Sequence, residues 1–415
     1  MGKVSGRGFV GFGFGPIQTG LMLSEAVDSG SFDSYRVAEI DQSLVDGVRA
    51  NGNGVSINIA GADGIRVKRL SGIRLLNPGA ERDRDELIAA VTESSEMATA
   101  VPSVSLYAAG GPSSIAGVLA EAVAGRPFKK QRIIYTAEND NYAAERLEKD
   151  ISAFGGSVEG SGLQILNTVI GKMSGVISSE AEMKELGLAP LAPGFGRCVL
   201  VEEFNRILVS RVRLPGFARG IRVFQEKDDL LPFEEAKLYG HNAVHALMGF
   251  LARLRGHVVM SDIREDTALL DLARRAFLDE CGRALVRKHG GAADADPLFS
   301  DAGWLSYAED LIKRMTNPWL HDRVERIIRD PGRKLGWSDR LFGTMRVALS
   351  QGITPRAMAL GAAAALTVAQ AQQKDSSPAA DALGRIWGPE AAGSEQRECI
   401  RLVREALEEL PKWMS

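Results

Sequence analysis

Phe9-Val10-Gly11-Phe12-Gly13-Phe14-Gly15-Pro16-Ile17-Gln18-Thr19-Gly20 reads as a strand, a glycine-rich turn and the start of a helix. Gly8 to Phe12 is the strand, and Pro16 to Val27 is the helix. Gly13 permits a tight turn, and Gly15 lets the backbone approach a pyrophosphate at the helix N-terminus. Such a turn needs an acid at the end of the second strand, where it accepts both ribose hydroxyls. Tyr35 to Ile40 is that strand, and Glu39 is that acid. A carboxylate there repels a 2′-phosphate, so the pattern points to NAD rather than NADP. The loop Asp28 to Ser34 makes the spacing from Gly13 longer than usual. Gln18 stands where G-x-G-x-x-G has its third glycine. A turn that only packs a helix on a strand, or an FAD site, has the same local pattern, and Glu39 is what favours a dinucleotide. Gly13, Gly15, Ile17, Gln18 and Glu39 are the cofactor candidates of this segment.

The alternation continues outward. A helix is expected at Ser43 to Asn51, strands at Val55 to Ala60 and Ile65 to Leu70, and a helix at Asp85 to Val91. A short strand precedes Pro102, then come a helix at Pro112 to Ala124, a strand at Gln131 to Thr136 and a helix at Tyr142 to Phe154. Near-continuous apolar strands alternating with helices mean an α/β fold with a mostly parallel sheet covered on both faces. After about Pro193 the apolar spacing turns helical, over 228–255, 263–289, 304–316, 319–329, 337–351, 354–373, 378–388 and 394–411. The expected organisation is a Rossmann-like dinucleotide-binding domain over 1–193 and an all-α domain over 194–415. The boundary is set at the Pro-, Gly- and Ala-rich Pro190 to Gly196.

Bulk composition narrows the function classes. A chain of 415 residues is too long for one ordinary core. Apolar content of 45% and charged content of 25% are those of a soluble globular protein. A net charge of −3 gives no electrostatic reason to expect nucleic acid or a membrane surface as partner. Cys198, Cys281 and Cys399 are odd in number, far apart and without ligand spacing, which argues for a reducing compartment and against a metal site. With no signal-peptide pattern and no long apolar run, the cytoplasm is the expected location.

The second informative run is Lys237-Leu238-Tyr239-Gly240-His241-Asn242-Ala243-Val244-His245. Pro232, Glu234 and Glu235 mark a helix start and Gly256 its end. At ~100° per residue, with Lys237 as origin, His245 falls at about 80° and Asn242 at about 140°. An amine, an amide and an imidazole then share one arc, as reversible alcohol oxidation requires: the amine takes the hydroxyl proton while its neighbours hold the oxygen. The same helix carries Leu238, Val244, Leu247 and Phe250, so a buried, paired lysine or histidine of purely structural use is the competing reading.

Taken together, these motifs resemble the polyol-specific long-chain dehydrogenase/reductase family, and within it the mannitol-1-phosphate 5-dehydrogenase branch. Lys237-x4-Asn242-x2-His245 matches the active-site motif of that family. The resemblance implies Lys237 as general base, His245 orienting the reacting oxygen, and Asn242 with Asn167 stabilising the alkoxide. Asn167 lies in Asn167-Thr168-Val169-Ile170-Gly171-Lys172-Met173, where Gly171 and Lys172 replace the family's Asp-Arg pair. Gly13, Gly15 and Gly20 match the family's G-x-G-x-x-G-R-G, while Gln18 and Thr19 depart from it. Thr99-Ala100-Val101 and Glu138-Asn139 match cofactor-side segments, which adds Thr99, Val101, Glu138 and Asn139 to the cofactor candidates. Arg326 and Lys334 match substrate-contacting positions, and Arg329 and Arg333 match arginines of the phosphate-using members. The family uses no metal.

The expectation is therefore an NAD-dependent dehydrogenase acting on a small polyol or sugar phosphate, working as a monomer or small homo-oligomer. Two rivals stand beside it. One is a sugar-acid oxidoreductase of the same family, fructuronate- or tagaturonate-reductase-like, because arginines that hold phosphate also hold carboxylate. The other is a non-catalytic NAD sensor, motivated by Gln18, Thr19, Gly171 and Lys172 and opposed by the intact Lys-Asn-His set.

Overall fold

The computed structural model describes residues 7–124, 130–291, 296–391 and 393–414, which form two compact units, Met1–Leu230 and Leu231–Ser415. The first unit carries the strands. In chain order they are β1 (Gly8–Phe12), β2 (Ser34–Ala38), β3 (Val55–Ala60), β4 (Ile65–Leu70), β5 (Ile73–Leu76), β6 (Ser94–Thr99) and β7 (Arg132–Thr136). There follow β8 (Leu163–Leu166), β9 (Thr168–Val169), β10 (Ser174–Ile177), β11 (Cys198–Glu202), β12 (Leu208–Ser210) and β13 (Gln225–Lys227). The main sheet runs β5-β2-β1-β6-β7-β8, and every neighbouring pair in it is parallel. With β3 and β4 set aside, this is the Rossmann order 3-2-1-4-5-6, whose direction reverses between β1 and β6.

Alternation along β1 divides the core. Phe9 packs with Leu21, Val37 and Ile133 on one face, and Val10 and Phe12 pack with Leu87, Leu119 and Ile134 on the other. The helix after β1 is closely packed on the sheet. Its first turns, Gln18–Leu23, are π-helical and pass into the α-helix Ser24–Asp28. Gln18 occupies the third-glycine position, and its amide is wholly buried over Gly11, where a Cβ would overlap it. The strand gives up its side chain where the usual motif has the helix do so. Gly20 is needed for a different neighbour, since a Cβ there would overlap Val201 on β11.

The expected boundary at 193/194 differs from the observed division after Leu230. Strand β11 joins the first unit by pairing in parallel with β3, in a second sheet of order β10-β11-β3-β4. Strand β12 lies between β9 and β13 in a third sheet. Residues 198–227 thus complete the sheets of the nucleotide-binding half, and the short strands β12 and β13 carry too little periodicity to stand out in the sequence.

The second unit is helical, as its spacing predicts. It comprises 231–254, 267–289, Asp301–Met315, Phe342–Ser350, Arg356–Gln373, Ala379–Trp387 and Gly393–Glu409, with shorter turns between. The expected helix over 319–329 shrinks to Val324–Ile327, because Asn317 and Asp330 cap separate turns on either side. The alanine-rich run is the almost wholly buried core of Arg356–Gln373. All three cysteines are free and buried. Among the described residues, no helix is long and apolar enough to cross a membrane.

Candidate active site

In the first unit the carboxyl ends of the parallel strands open into a cavity of about 590 Å³. Ligands of doubly wound sheets bind at this point, outside the strand ends where the order reverses. Gly13, Gly15 and Ile17 line it from the turn, Glu39 from the end of β2 and Val101 from beyond β6. Gly13 has φ +84°, and a Cβ on it would lie 2.7 Å from the Ala100 carbonyl oxygen. That position requires glycine for both conformation and space. Gly15 faces open space, so its backbone is bare toward the cavity. The Glu39 Oε1 accepts the Asp41 N–H at 2.8 Å, which folds the carboxylate back along the cavity wall. Arg197 lines the same wall, 3.4 Å from the Asp41 carboxylate.

Five sequence candidates of this unit do not line the cavity. Gln18 is buried behind the turn. Thr99 and Glu138 are buried and bonded to each other at 2.8 Å. Glu138 also accepts the Val101 N–H at 2.9 Å and the Tyr107 hydroxyl. Burial lifts its carboxyl above the usual range, and these hydrogen bonds pull it back. Glu138 therefore shapes the loop that presents Val101. Asn139 is exposed. Asn167 lies between β8 and β9: its Oδ1 accepts the Ala144 N–H at 2.8 Å and its Nδ2 donates to Glu145 at 2.9 Å. It caps the helix Ala143–Ala153, and one of its two amide hydrogens remains for another acceptor.

In the second unit Lys237 lies in a π-helical segment, Ala236–His241, between the α-helices Leu231–Glu235 and Asn242–Leu254. The uniform α-helical phases expected from the sequence therefore do not hold between Lys237 and Asn242. The bulge is held from outside. Thr344 Oγ1 lies 3.1 Å from the Tyr239 carbonyl oxygen and 2.5 Å from that of Arg340, and it donates to one at a time. A Cβ on Gly343 would overlap the Tyr239 ring, so the helix Phe342–Ser350 packs directly against the bulge.

The electrostatics favour neutral bases. Burial pushes the Lys237 ammonium down to about 8, Arg340 adds to the shift and Glu234 opposes it. Burial holds the His245 imidazole down at about 4; Asp322 opposes this, while Arg326, Arg340 and Lys334 add to it. His245 Nε2 is buried without a hydrogen bond among the described residues, 3.6 Å from the Asp322 carboxylate. His241 is also held well below its ordinary value, first by burial and then by His245. Its ring centroid is 6.0 Å from that of His245. Asn242 is half-buried at the start of the α-helical part.

The downstream cations divide. Arg326 is bound bidentately by Asp322 at 2.7 and 2.6 Å. Lys334 is buried, donates to the Arg329 carbonyl and is pushed down to about 8 by burial, then by Arg340 and Arg333. Arg329 is exposed, and so is Arg333, which pairs with Asp330 at 3.3 Å. Arg340 belongs to no sequence motif, yet it acts on Lys237, His241, His245 and Lys334 alike. Its guanidinium is held by Asp339 at 2.8 Å. Asp322 also escapes the motifs, although its i,i+4 spacing to Arg326 is a readable pairing signal. Among the described residues, no group of three or more His, Cys, Asp or Glu side chains is placed to hold a metal ion.

Residues 229–401 match the family model of the mannitol dehydrogenase C-terminal domain. Two solved structures share the fold over nearly the whole chain. One is the mannitol 2-dehydrogenase of Pseudomonas fluorescens in ternary complex with NAD and D-mannitol. It has a TM-score of 0.73 and 15% identity, covering 99% of this chain and 93% of that one. The other is a D-sorbitol dehydrogenase in substrate-free form, with a TM-score of 0.73 and 14% identity, covering 99% of this chain and 95% of that one. The fold is that of the mannitol and sorbitol dehydrogenases: a Rossmann-like parallel sheet followed by a helical region.

Proposed function

We propose that this chain is an NAD-dependent secondary-alcohol dehydrogenase that interconverts an open-chain polyol or polyol phosphate and the corresponding ketose. The observation that carries the reading is Lys237. Its amine is held at about 8 on a π-helical bulge, with Asn242 and His245 beside it on the same chain segment. An ordinary lysine is almost wholly protonated at neutral pH, whereas a pKa of about 8 leaves a usable neutral fraction. Lys237 takes the hydroxyl proton. Asn242 donates to the oxygen as negative charge develops, and the motif resemblance gives Asn167 the same role. His245, neutral at physiological pH, holds the same oxygen through Nε2.

The cavity at the strand ends fits a dinucleotide. A Cβ on Gly15 would fill the space a pyrophosphate needs, and the Glu39 carboxylate suits a ribose diol. Gly13, Gly15, Ile17 and Val101 would line the cofactor, which when bound supplies the hydride acceptor for alcohol oxidation. Replacing Glu39 by Ser is expected to weaken NAD and relatively favour NADP, read as the ratio of kcat/KM for the two cofactors. A wild-type preference for NADP would overturn the assignment.

Arg326, Arg329, Arg333 and Lys334 are proposed to favour a phosphorylated substrate. The test is kcat/KM on mannitol 1-phosphate against mannitol, followed by NADH absorbance, in wild type and in Arg333→Ala. Preference for the phosphate, reduced by the substitution, is expected. The sugar-acid reading is favoured by a specific observation: Arg329 and Arg333 are exposed, whereas Arg340 is largely buried and suits a single carboxylate. Aldonic acids therefore belong in the same screen, and their turnover in place of polyols would select that reading. Turnover of any of these substrates removes the sensor.

A further inference from the structure

A second cavity, of about 520 Å³, lies in the helical unit and is lined by residues outside the Lys237 cluster. Arg275, Arg283, Arg287 and Arg356 all border it. None of the four makes an ion pair with a carboxylate among the described residues; Arg287 donates only to the Gln351 carbonyl, at 2.8 Å. The helix geometry accounts for this. Arg275, Asp279, Arg283 and Arg287 recur at intervals of four, so in an α-helix Asp279 would reach the arginine on either side. The stretch between them, Ala276–Gly282, is π-helical, flanked by the α-helices Thr267–Arg275 and Arg283–His289. The wider turn removes the four-residue stacking across Asp279 and leaves the guanidinium groups without a carboxylate partner among the described residues. Bulges of this kind are frequent at functional sites.

Three acids border the cavity, Asp279, Glu280 and Glu409, and among the described residues none of them forms an ion pair with the four arginines. Glu280 is buried, and its carboxylate accepts the Ala357 and Met358 N–H groups at 2.7 and 2.9 Å, capping the helix Arg356–Gln373. Its charge is spent on the helix end. Leu272, Ile353, Leu360 and Trp413 give the cavity an apolar part, and Asp279, Thr354 and Glu409 also border it. A ligand for this site needs several negative charges and an apolar part, within a volume typical of small-molecule pockets.

We propose that this cavity binds a small organic polyphosphate, with its phosphates on Arg275, Arg283, Arg287 and Arg356 and its apolar part against Trp413. Guanidinium forks suit phosphate oxygens, and the half-enclosed shape suits a small molecule better than a peptide strand. The test is calorimetric titration of the full chain with tripolyphosphate and with ATP, in saturating NADH so that the other nucleotide cavity is filled. Sub-millimolar binding of both is expected, tighter for ATP and weakened by salt. Arg283→Ala combined with Arg356→Ala should lower both affinities at least about tenfold, a loss of about 1.4 kcal/mol. An Arg82→Ala control, on an exposed position of the other unit, should change neither. Both substituted arginines are exposed, so the fold should persist, checked by thermal melting. No binding of either probe, or equal binding by the double variant, overturns the proposal. Tighter binding of a hexaglutamate peptide than of either phosphate would overturn the choice of ligand.

Discussion

Alanine in place of Lys237 is expected to lower the turnover of alcohol oxidation by about 10²–10⁴-fold, the range supplied by a positioned general base. NADH affinity should stay near the wild-type value, because the residues assigned to the cofactor all lie in the first unit. A small primary amine added to the variant should restore part of the rate. The size of the effect separates the two readings of a buried lysine. A structural lysine, paired within the helix layer, would show its loss in thermal stability and leave the rate of the folded fraction intact. A base shows the reverse. Alanine at Asn242, which only donates to the developing alkoxide, should cost about 10²–10³-fold and should not respond to added amine. If the Lys237→Ala enzyme keeps more than about a tenth of wild-type turnover, the general-base role is wrong.

The first turn is legible because its residues admit few alternatives. Gly13 must adopt a positive φ beneath the Ala100 carbonyl, and a sequence with glycine there and an acid ending the next strand states both requirements. The helical spacing of the second half is legible for a similar reason: long apolar stripes leave little choice of period. The failures have a common cause. A π-helical turn has no local composition of its own, so the bulges at Gln18–Leu23, Ala236–His241 and Ala276–Gly282 leave no trace in the pattern. They arise where tertiary packing takes over, as at Tyr239 against Gly343. Strands β11 to β13 fall in the wrong half of a sequence-based division because the partners of β11 and β12, β3 and β9, lie far away in the sequence. Charged residues are the hardest to place. Four downstream cations look like one cluster in the sequence, but Asp322 engages Arg326 and Asp330 engages Arg333. Arg340, which belongs to no motif, acts on the lysine itself.

Arg340 leads to the second large effect, which is a pH effect. In oxidation the Lys237 amine must be unprotonated to accept the hydroxyl proton. The rate should therefore rise with pH and level off above about 8. In ketose reduction the same group must deliver a proton, so that rate should fall through the same pH. Arg340 is the main charge that disfavours the ammonium, with Glu234 opposing it and burial contributing more than either. Removing it in Arg340→Met stabilises the protonated form, so the Lys237 pKa moves up. Below the limb, oxidation then loses about 3- to 10-fold, because the neutral fraction at a fixed pH falls in proportion to the rise in proton affinity. Reduction should instead persist to higher pH than in the wild type. Arg340→Lys keeps a cation at the same place and should return both limbs most of the way. A residue acting only on substrate affinity would change KM at every pH and leave the limbs where they were. Log kcat against pH in both directions, for wild type and the two variants, makes the distinction. Unmoved limbs in Arg340→Met would leave burial alone as the source of the depressed amine.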